Sequence, residues 1–431
     1  MDSVGSINHV FHRSKKISWP RISHGKGCCL FDTDGNEYLD ACAGVHVVSI
    51  GHGVEEIVQA MADQARKVCF AYGQFISQSQ IDLAEKIAAM SPGALNRVFF
   101  VSGGSEATES AMKIARKYHV ETGNPSKYQI ISRWQSWHGN TVGALSMSGR
   151  SAWRKDYTPY LLDFPHISPH STDELERVIK QVGAEYISAF IAEPIFGTSC
   201  AALAPPDDYF PKVREICDRY NILLIIDEVV TGFGRTGVNF GIDHWDVVPD
   251  IMATGKGLSS GYTPIAATVA TDDIYDAIFE SSPAFVHGHT YGGNPLSCAT
   301  ALAVQQYIEK HDLISRCAAM GDLLLQSLEA LRELPMVSAV RGKGLLSGID
   351  LSHGKEADSP FDPALGVTAR VVNRAFDGGV LVMPGAPGPI DGVNGDHIAI
   401  SPPFTVTETE ISRIVHVLKN AIISVAEEIG E

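Results

Sequence analysis

Positive charge is scarce in this chain of 431 residues: 34 Lys and Arg residues face 50 Asp and Glu residues, which gives a formal net charge of −16 at pH 7. Binding to a nucleic-acid backbone depends on clustered basic side chains. The acidic balance therefore argues against a nucleic-acid partner. Small anionic ligands stay open, because loops and helix ends bind phosphate whatever the net charge of the protein.

Long hydrophobic runs and paired cysteine motifs are also lacking. The most apolar runs, such as residues 222–226, stop at acids far short of a bilayer-spanning length. Residues 1–13 have neither an apolar signal core nor a cleavage pattern. The eight cysteines form no CxxC pair, which is typical of free thiols in a reducing compartment. We therefore expect a cytoplasmic globular protein with no membrane partner.

The middle of the chain alternates short apolar runs with amphipathic stretches of helical length. The apolar runs predict buried strands at residues 97–101, 129–132, 187–192 and 222–226. Residues 106–118 and 208–220 have helical length and spacing. Strands that alternate with helices predict a mainly parallel sheet covered on both faces, which is an α/β fold.

The two ends of the chain have a different pattern. Asp34-Gly35 lies between two strand-like runs within residues 27–40, which predicts a hairpin. Beyond residue 310 there are a strand-like segment at 340–351, a Gly/Pro-rich segment at 385–395, a last strand at 397–403 and a terminal helix from Glu408. We therefore predict a large domain of residues 61–308 and a small α+β domain built from both termini, residues 1–60 and 309–431.

Two glycine-rich motifs resemble nucleotide-binding loops but fail their structural requirements. Residues 232–237 (GFGRTG) match GxGxxG, yet Asp227 and Glu228 interrupt the junction to the preceding strand and the next segment is not helical. Lys256 is followed by Gly257, where a P-loop needs Ser or Thr. No standard metal-ligand spacing, and hence no metal site, is expected among His24, Cys28, Cys29, Cys42 and His46.

Small and aromatic residues follow two of the predicted strands. Residues 102–107 (SGGSEA) turn from a strand into a helix, where backbone N–H groups can hold an anion. Ser105 is equally typical of a simple helix N-cap. Trp137 follows the next strand-like segment and can cover one face of a flat ligand ring, although a tryptophan of the core fits the pattern as well.

Asp227 and Lys256 carry the strongest chemical signal. The apolar run at residues 222–226 predicts a strand buried on both faces, and it is followed by two acids, Asp227 and Glu228. Acids at this position indicate that the end of the strand opens onto a site. An aspartate there can hold a heterocyclic nitrogen in its protonated form. Lys256 lies in an apolar turn between two glycines, where an amine of lowered pKa can act as a nucleophile. A solvated surface lysine is the alternative.

Taken together, the sequence resembles the class III aminotransferases. The resemblance extends from about Gly25 to the terminal helix and implies an enzyme dependent on pyridoxal phosphate (PLP), with fold type I and a homodimeric assembly. It also explains GFGRTG as the loop after the Asp-Glu strand. The motifs that carry it are, in chain order, SGGSEATESAMKIAR, SWHGNT, AEPIFG, IIDEVVTGFGRTG, DIMATGKGLSSGYTPIAA and HGHTYGGNP.

The resemblance implies a role for each matching residue. Lys256 forms the Schiff base with the cofactor aldehyde and later moves the substrate proton, and Asp227 pairs with the pyridine nitrogen. The other implied cofactor-binding residues are Gly104 and Ser105 at the phosphate, Trp137 and Val229 on the two ring faces, His138 beside Trp137, Glu193 near the phenolic oxygen, and Thr290, which reaches the phosphate of the neighbouring subunit.

One departure from the family bears on the substrate. Relatives that use 2-oxoglutarate often have an arginine in the last strand, and Ala399 occupies that position here. A bidentate grip on a carboxylate cannot come from alanine. We therefore expect pyruvate as acceptor in preference to 2-oxoglutarate, with an ω-amino acid or amine as donor. Arg21 and Arg150 are other candidates for the grip, and a PLP-dependent racemase or epimerase on the same scaffold is the alternative function.

Overall fold

The protein is described by a computed structural model that covers residues 9–13, 19–356, 359–386 and 388–431. The first eight residues of the segment without a signal core, and one position of the Gly/Pro-rich segment 385–395, lie outside the described residues. Within the described part, none of the helices combines the length and the apolar character that a membrane span requires.

The described chain contains fifteen β-strands and thirteen α-helices. The strands are β1 Ile22–Lys26, β2 Cys29–Asp32, β3 Glu37–Asp40, β4 Leu95–Val101, β5 Gln129–Arg133, β6 His166–Ile167, β7 Ile187–Ala192, β8 Leu223–Asp227, β9 Ile251–Thr254, β10 Ala266–Thr271, β11 Val337–Lys343, β12 Leu346–Leu351, β13 Val380–Leu381, β14 Met383–Pro384 and β15 Asp396–Ile400. The helices are α1 Ala43–His46, α2 Glu55–Lys67, α3 Gln78–Met90, α4 Gly104–Glu121, α5 Val142–Met147, α6 Ser151–Arg154, α7 Thr172–Val182, α8 Tyr209–Arg219, α9 Asp272–Ser281, α10 Pro295–Lys310, α11 Leu313–Glu329, α12 Val367–Asp377 and α13 Glu408–Ile429.

A seven-stranded sheet forms the centre of the fold, in the order β4-β10-β9-β8-β7-β5-β6. Neighbouring strands from β6 to β9 are parallel, and β10 is antiparallel to both β9 and β4. The strands predicted from apolar runs are β4, β5, β7 and β8, and the predicted helices are α4 and α8. The α/β fold with a mainly parallel sheet is therefore confirmed.

Helices cover both faces of this sheet, which explains why its central strands are apolar without interruption. In β8, Leu224 and Ile226 pack with residues of α7 and α8. Leu223 and Ile225 point to the opposite face and pack with residues of α4 and α9. Successive side chains of a strand alternate between the two faces of the sheet, so every side chain of a strand covered on both faces is buried. Such a strand is therefore apolar up to its end.

Two smaller sheets contain the ends of the chain. β2 and β3 pair antiparallel around the Asp34-Gly35 turn, and Gly35 has a φ of +86°, so the predicted hairpin is confirmed. β13 adds to β3 in parallel, which joins N- and C-terminal segments in one sheet of order β1-β2-β3-β13. The second sheet has the order β11-β12-β15-β14. The domain boundaries at residues 60 and 308 stay a prediction.

The terminal helix and the last strand follow from local chemistry. α13 begins after Thr407, whose hydroxyl accepts the N–H of Glu410 while the Glu410 carboxylate accepts the N–H of Thr407. This is a capping box. The strand predicted at 397–403 ends at Ile400. Pro402 and Pro403 cannot donate the backbone hydrogen bonds that would extend it.

The second acid of the Asp-Glu pair, Glu228, stabilises the loop that follows β8. Its carboxylate is buried and accepts hydrogen bonds from the hydroxyl of Thr231 and from the backbone N–H groups of Gly241 (2.9 Å) and Ile242 (2.8 Å). Burial raises the pKa of Glu228 to about 7, while these hydrogen bonds act in the opposite direction. Glu228 therefore has a structural role, and Asp227 alone faces the site.

Arg235 of GFGRTG attaches the same loop to the C-terminal part of the chain. Its buried guanidinium donates to the carbonyls of Leu345 (3.0 Å) and Pro402 (2.7 Å) and lies over the ring of Phe404. No α-helix follows the motif; the next element is a short 3-10 turn, Gly241–Trp245. The loop therefore lacks the helix that a dinucleotide-binding motif requires.

We predict that Glu228→Ala strongly destabilises the protein. The substitution leaves two buried backbone N–H groups unpaired, each of which costs about 1–3 kcal/mol. The thermal midpoint, followed by circular dichroism, should fall by several degrees. Glu427→Ala is the matched control, because Glu427 is exposed on α13. Equal midpoints for the two variants would contradict the role given to Glu228.

Candidate active site

The parallel strands of the central sheet bring the predicted site residues to one edge. Glu193 follows β7, Asp227 ends β8 and Lys256 follows β9, and these strands are neighbours. The register places Ala192 beside Ile226 and Asp227 beside Ala253. The three side chains therefore emerge at similar height, at the carboxyl ends of the strands where α/β proteins bind their ligands.

Lys256 is a half-buried amine in a constrained turn. It has a φ of +41°, which is unusual for a residue other than glycine, and it begins the 3-10 turn Lys256–Leu258. Gln305 fixes this turn by donating to the carbonyls of Gly257 (3.1 Å) and Leu258 (2.9 Å). Burial lowers the pKa of Lys256, whereas Asp227 and Glu193 act to raise it. The site thus contains an amine that loses its proton more readily than a surface lysine.

The carboxylate of Asp227 is buried and fixed through both oxygens. Oδ1 accepts the backbone N–H of Val229 at 3.0 Å, and Oδ2 lies 2.7 Å from Nδ1 of His138. The His138 backbone N–H in turn donates to the hydroxyl of Ser148 at 2.8 Å. His138 therefore orients Asp227, and lone pairs of the carboxylate stay available for a ligand.

Glu193 lies beside this pair at the end of the neighbouring strand. Its carboxylate accepts the backbone N–H of Trp137 at 3.1 Å, and its own carbonyl accepts from the guanidinium of Arg133 at 2.6 Å. Burial raises the pKa of Glu193, and the nearby charge of Asp227 adds to this effect. The two acids of the site thus differ: Asp227 has two hydrogen-bond partners for its carboxylate, and Glu193 has one.

The N-terminus of α4 is tightly packed against the loop that follows β8. The helix begins at Gly104 with Gly103 as N-cap, so Ser105 is its second residue and the N-cap interpretation of Ser105 is wrong. The Ser105 hydroxyl instead accepts the N–H of Asn140 at 3.0 Å. The first N–H groups of a helix have no partner within it and favour an anion. A Cβ at position 104 would lie 2.9 Å from Cγ1 of Val229, so only glycine fits there.

Trp137 belongs to a ladder of aromatic rings and cations rather than to the core. It is half-buried, and its ring meets that of Trp153 edge to face at 4.9 Å. The guanidinium of Arg150 lies over the Trp137 ring at 5.0 Å, and that of Arg13 lies over Trp153 at 5.2 Å. Such cation–π contacts hold planar groups in a defined orientation.

Thr290 forms no hydrogen bond with the other predicted site residues among the described residues of the chain. It is exposed on the loop between α9 and α10. Its neighbour His289 approaches the Glu106 carboxylate at the start of α4, with 3.5 Å between Nδ1 and Oε1. Within one chain the structure brings together all of the predicted site residues except Thr290.

Sequence reasoning missed two side chains and could not place a third. Arg133 and Trp153 were not predicted, since a strand-end arginine and an isolated tryptophan carry no motif. The sequence offers Arg150 as a candidate without a location, and in the structure its guanidinium lies over the Trp137 ring. The sequence does contain a signal, because Arg150 directly follows the uncharged stretch 143–149, which is buried in the structure. Arg21 lies beside β1, where its carbonyl accepts the N–H of Thr33.

This fold is that of the fold type I PLP-dependent enzymes. The family model of class III aminotransferases matches residues 11–422. The chain is therefore a member of the class III aminotransferase family.

Comparisons with individual proteins agree with this assignment. The uncharacterized aminotransferase YodT of Bacillus subtilis is 39% identical over 430 residues, which are 96% of this chain and 97% of YodT. The putrescine–pyruvate aminotransferase of Pseudomonas aeruginosa is 33% identical over 93% of this chain and 90% of its own length. An amine transaminase from an uncultivated Pseudomonas species, solved in a PLP-bound form, superposes with a TM-score of 0.90 at 35% identity, over 97% of this chain and 99% of that chain.

We predict that Gly104→Ala destabilises the cofactor-free protein. Overpacking against Val229 costs about 1–3 kcal/mol, which exceeds the gain of about 0.4–1 kcal/mol from a less flexible unfolded chain. Gly103→Ala is a matched control, since its backbone is extended and a Cβ there meets no atom of the described residues within 4 Å.

The thermal midpoint of each variant measures the effect. Gly104→Ala should melt below the wild type and Gly103→Ala should not. The double variant Gly104→Ala/Val229→Ala should melt at or above Gly104→Ala, because it removes the atoms that clash. A Gly104→Ala midpoint equal to that of Gly103→Ala would show that the contact with Val229 imposes no constraint.

Proposed function

We propose that this class III aminotransferase moves an amino group from an amine or ω-amino acid to a 2-oxo acid, with PLP as cofactor. The observation that carries the proposal is the juxtaposition of Lys256 with Asp227 and Glu193 at one edge of the central sheet. An amine of lowered pKa beside two oriented acids suits proton transfer at a substrate carbon. When bound, PLP supplies the electron sink that stabilises negative charge on that carbon.

The residues present fit PLP. The start of α4 offers unpaired N–H groups and the Ser105 hydroxyl to a phosphate, and the absence of a Cβ at Gly104 keeps that approach open. Asp227 has lone pairs left to hold a protonated pyridine nitrogen. Trp137 and Val229 are apolar groups suited to the two faces of a ring.

The chain's own residues then have distinct tasks. Lys256 would hold the cofactor and would move the proton at the reacting carbon. Asp227, oriented by His138, would keep the ring nitrogen protonated, and Glu193 would lie near the phenolic oxygen. Burial lowers the pKa of Lys256 and raises the pKa of Glu193, so it favours the neutral form of both groups and makes proton exchange between them and a substrate easier.

The acceptor that we favour is pyruvate. Ala399 is fully buried in β15 between β12 and β14, and its methyl group cannot bind the second carboxylate of 2-oxoglutarate. The name of the putrescine–pyruvate aminotransferase from Pseudomonas aeruginosa, which is 33% identical, supports the same acceptor.

All eight cysteines are free, which supports a cytoplasmic location.

We also infer that the enzyme is a homodimer in which Thr290 completes the partner's site. Tyr291, next to Thr290, packs against Phe70 with 5.9 Å between ring centroids. Phe70 opens a strongly exposed apolar segment that includes Phe75 and Ile76. Exposed apolar surface of this kind is typical of a protein–protein interface, and its position beside Thr290 suits a second copy of the chain.

We predict a two-stage stoichiometry. Holoenzyme mixed with an amine donor and no acceptor should release one oxo product per subunit and then stop. Pyruvate added after removal of the donor should yield one alanine per subunit, and 2-oxoglutarate should yield little glutamate. Both products can be quantified by chromatography, with Lys256→Ala as the inactive control.

Other outcomes have definite meanings. A protein that releases no oxo product but inverts the configuration of a chiral donor is a racemase, which would refute transamination. Efficient formation of glutamate from 2-oxoglutarate would refute the preference for pyruvate while leaving the transaminase assignment intact.

We predict that Ile76→Lys weakens or abolishes the dimer. Ile76 is 85% exposed in the single chain, and an ammonium group buried at an interface is costly. Light scattering should give the mass of one chain for this variant at concentrations where the wild type has the mass of two. Val120→Lys, near the far end of α4, is the control and should leave the mass unchanged. A monomeric wild type would contradict the homodimer.

A further inference from the structure

Arg133, the last residue of β5, is a fully buried cation that forms no ion pair with another described residue. Its guanidinium donates to the backbone carbonyls of Glu193 at 2.6 Å and Pro169 at 3.4 Å, and it lies over the Phe196 ring, 4.2 Å from the centroid. Its Nε has no hydrogen-bond partner in the described part of the chain. Because an unpaired buried charge is costly to a fold, Arg133 is expected to have a task beyond packing.

Hydrogen bonds join Arg133 and Trp137 to the same residue, Glu193. Arg133 donates to the Glu193 carbonyl, and the Glu193 carboxylate accepts the backbone N–H of Trp137 at 3.1 Å. The turn between Arg133 and Trp137 is itself closed, because the N–H and the hydroxyl of Ser136 both donate to the Arg133 carbonyl, at 3.3 and 2.7 Å. We call this closed ring of four residues the Arg133 clasp. A displacement of Trp137 relative to Glu193 breaks one of its hydrogen bonds.

The charge of Arg133 also acts on the Glu193 carboxylate. Glu193 is 4% exposed, and burial raises its pKa, whereas the charges of His138 and Arg133 act to lower it. An ionised carboxylate accepts stronger hydrogen bonds than a protonated one. Arg133 therefore favours the form of Glu193 that holds the Trp137 N–H most firmly.

Both residues held by the clasp belong to the edge of the sheet that carries the reacting groups. Glu193 follows β7, which lies beside β8, and β8 ends in Asp227. Trp137 directly precedes His138, whose Nδ1 lies 2.7 Å from Oδ2 of Asp227. A change in the clasp therefore reaches the proposed cofactor-binding residues through one step along the chain.

We propose that Arg133 is a positioning residue of the active site, which fixes Glu193 relative to Trp137 and supplies positive charge beside this buried acid. The inference rests on the proposed function, in which Trp137 would cover one face of the cofactor ring and Glu193 would lie near its phenolic oxygen. Arg133 acts through these two residues and is not itself assigned a contact with substrate or cofactor.

The titration of Glu193 tests the effect of the Arg133 charge. In holoenzyme with carbon-13-labelled glutamate carboxyl groups, NMR follows the Glu193 signal, which is identified by its absence from Glu193→Gln. Arg133→Met should reduce the acid dissociation constant of Glu193 about 3- to 10-fold, because it removes a nearby positive charge. Arg133→Lys keeps the charge and should stay within about 2-fold of the wild type.

Arg235→Met is the matched control. Arg235 is also fully buried, donates to two backbone carbonyls and lies over a phenylalanine ring, but its partners Leu345, Pro402 and Phe404 belong to the C-terminal part of the chain. Arg133→Met and Arg235→Met should both lower the thermal midpoint, and only Arg133→Met should change the titration of Glu193. An equal change of this titration in the two variants would overturn the proposal.

Two further measurements report on Trp137. Its backbone N–H should exchange with solvent at least about 3-fold faster in Arg133→Met than in the wild type, and at the wild-type rate in Arg235→Met. The dissociation constant for PLP, measured by fluorescence on cofactor-depleted protein, should rise about 2- to 10-fold in Arg133→Met, which corresponds to a stacked aromatic contact. Arg133→Lys should restore most of this loss.

Arg133→Gln keeps the test decisive if Arg133→Met fails to fold, because glutamine can retain a hydrogen bond but not the charge. An unchanged titration of Glu193 in the variant that folds would overturn the proposal. Unchanged exchange at Trp137 or unchanged PLP affinity in that variant would do the same, since the clasp would then have no effect on the site.

These measurements do not depend on turnover, which separates the proposal from the function on which it rests. If the titration, the exchange and the PLP affinity change as expected but the wild type transfers no amino group, the role of Arg133 stands and the transaminase assignment falls. If the wild type transfers amino groups and all three quantities are unchanged in Arg133→Met, the assignment stands and the role of Arg133 is refuted.

Discussion

The common direction of β5, β7, β8 and β9 is the constraint on which the site depends. Parallel strands end at one edge of the sheet, so residues far apart in the chain, from Trp137 to Lys256, meet there without a long loop to carry them. The same strands are buried on both faces, which leaves their carboxyl ends as the first positions that can hold polar side chains. A rigid, apolar sheet thereby presents acids and an amine in fixed register.

Burial and mutual charge oppose each other within this pocket. Removal from water drives Lys256 toward the free amine and Glu193 toward the neutral acid. The charges of Asp227 and Glu193 oppose the shift of Lys256, and His138 and Arg133 oppose the shift of Glu193. Hydrogen bonds distinguish the two acids, because the Asp227 carboxylate has partners on both oxygens and the Glu193 carboxylate has one. A fixed carboxylate and exchangeable neighbours are what proton transfer at a bound substrate requires.

Strands, helices and the principal reactive groups were predictable, because each depends on local pattern. Apolar runs identify β7 and β8, and the acid at a strand end and the glycine-flanked lysine lead to the proposed chemistry. Other features depend on distant contacts. Ser105 resembles an N-cap until the start of α4 is known, and Glu228 resembles a second active-site acid until Gly241 and Ile242 fold back onto it. Arg150 has no motif of its own; only the tertiary fold places it on Trp137.

The ladder of Arg13, Trp153, Trp137 and Arg150 has a consequence for how this enzyme can diverge. Each member contacts the next through an aromatic face or edge, so the effect of changing one depends on the identity of the others. Single replacements in such a set are strongly epistatic. A lineage that acquires a new substrate preference should therefore alter these positions as a group, and libraries that vary them jointly should contain active combinations that stepwise mutation does not reach.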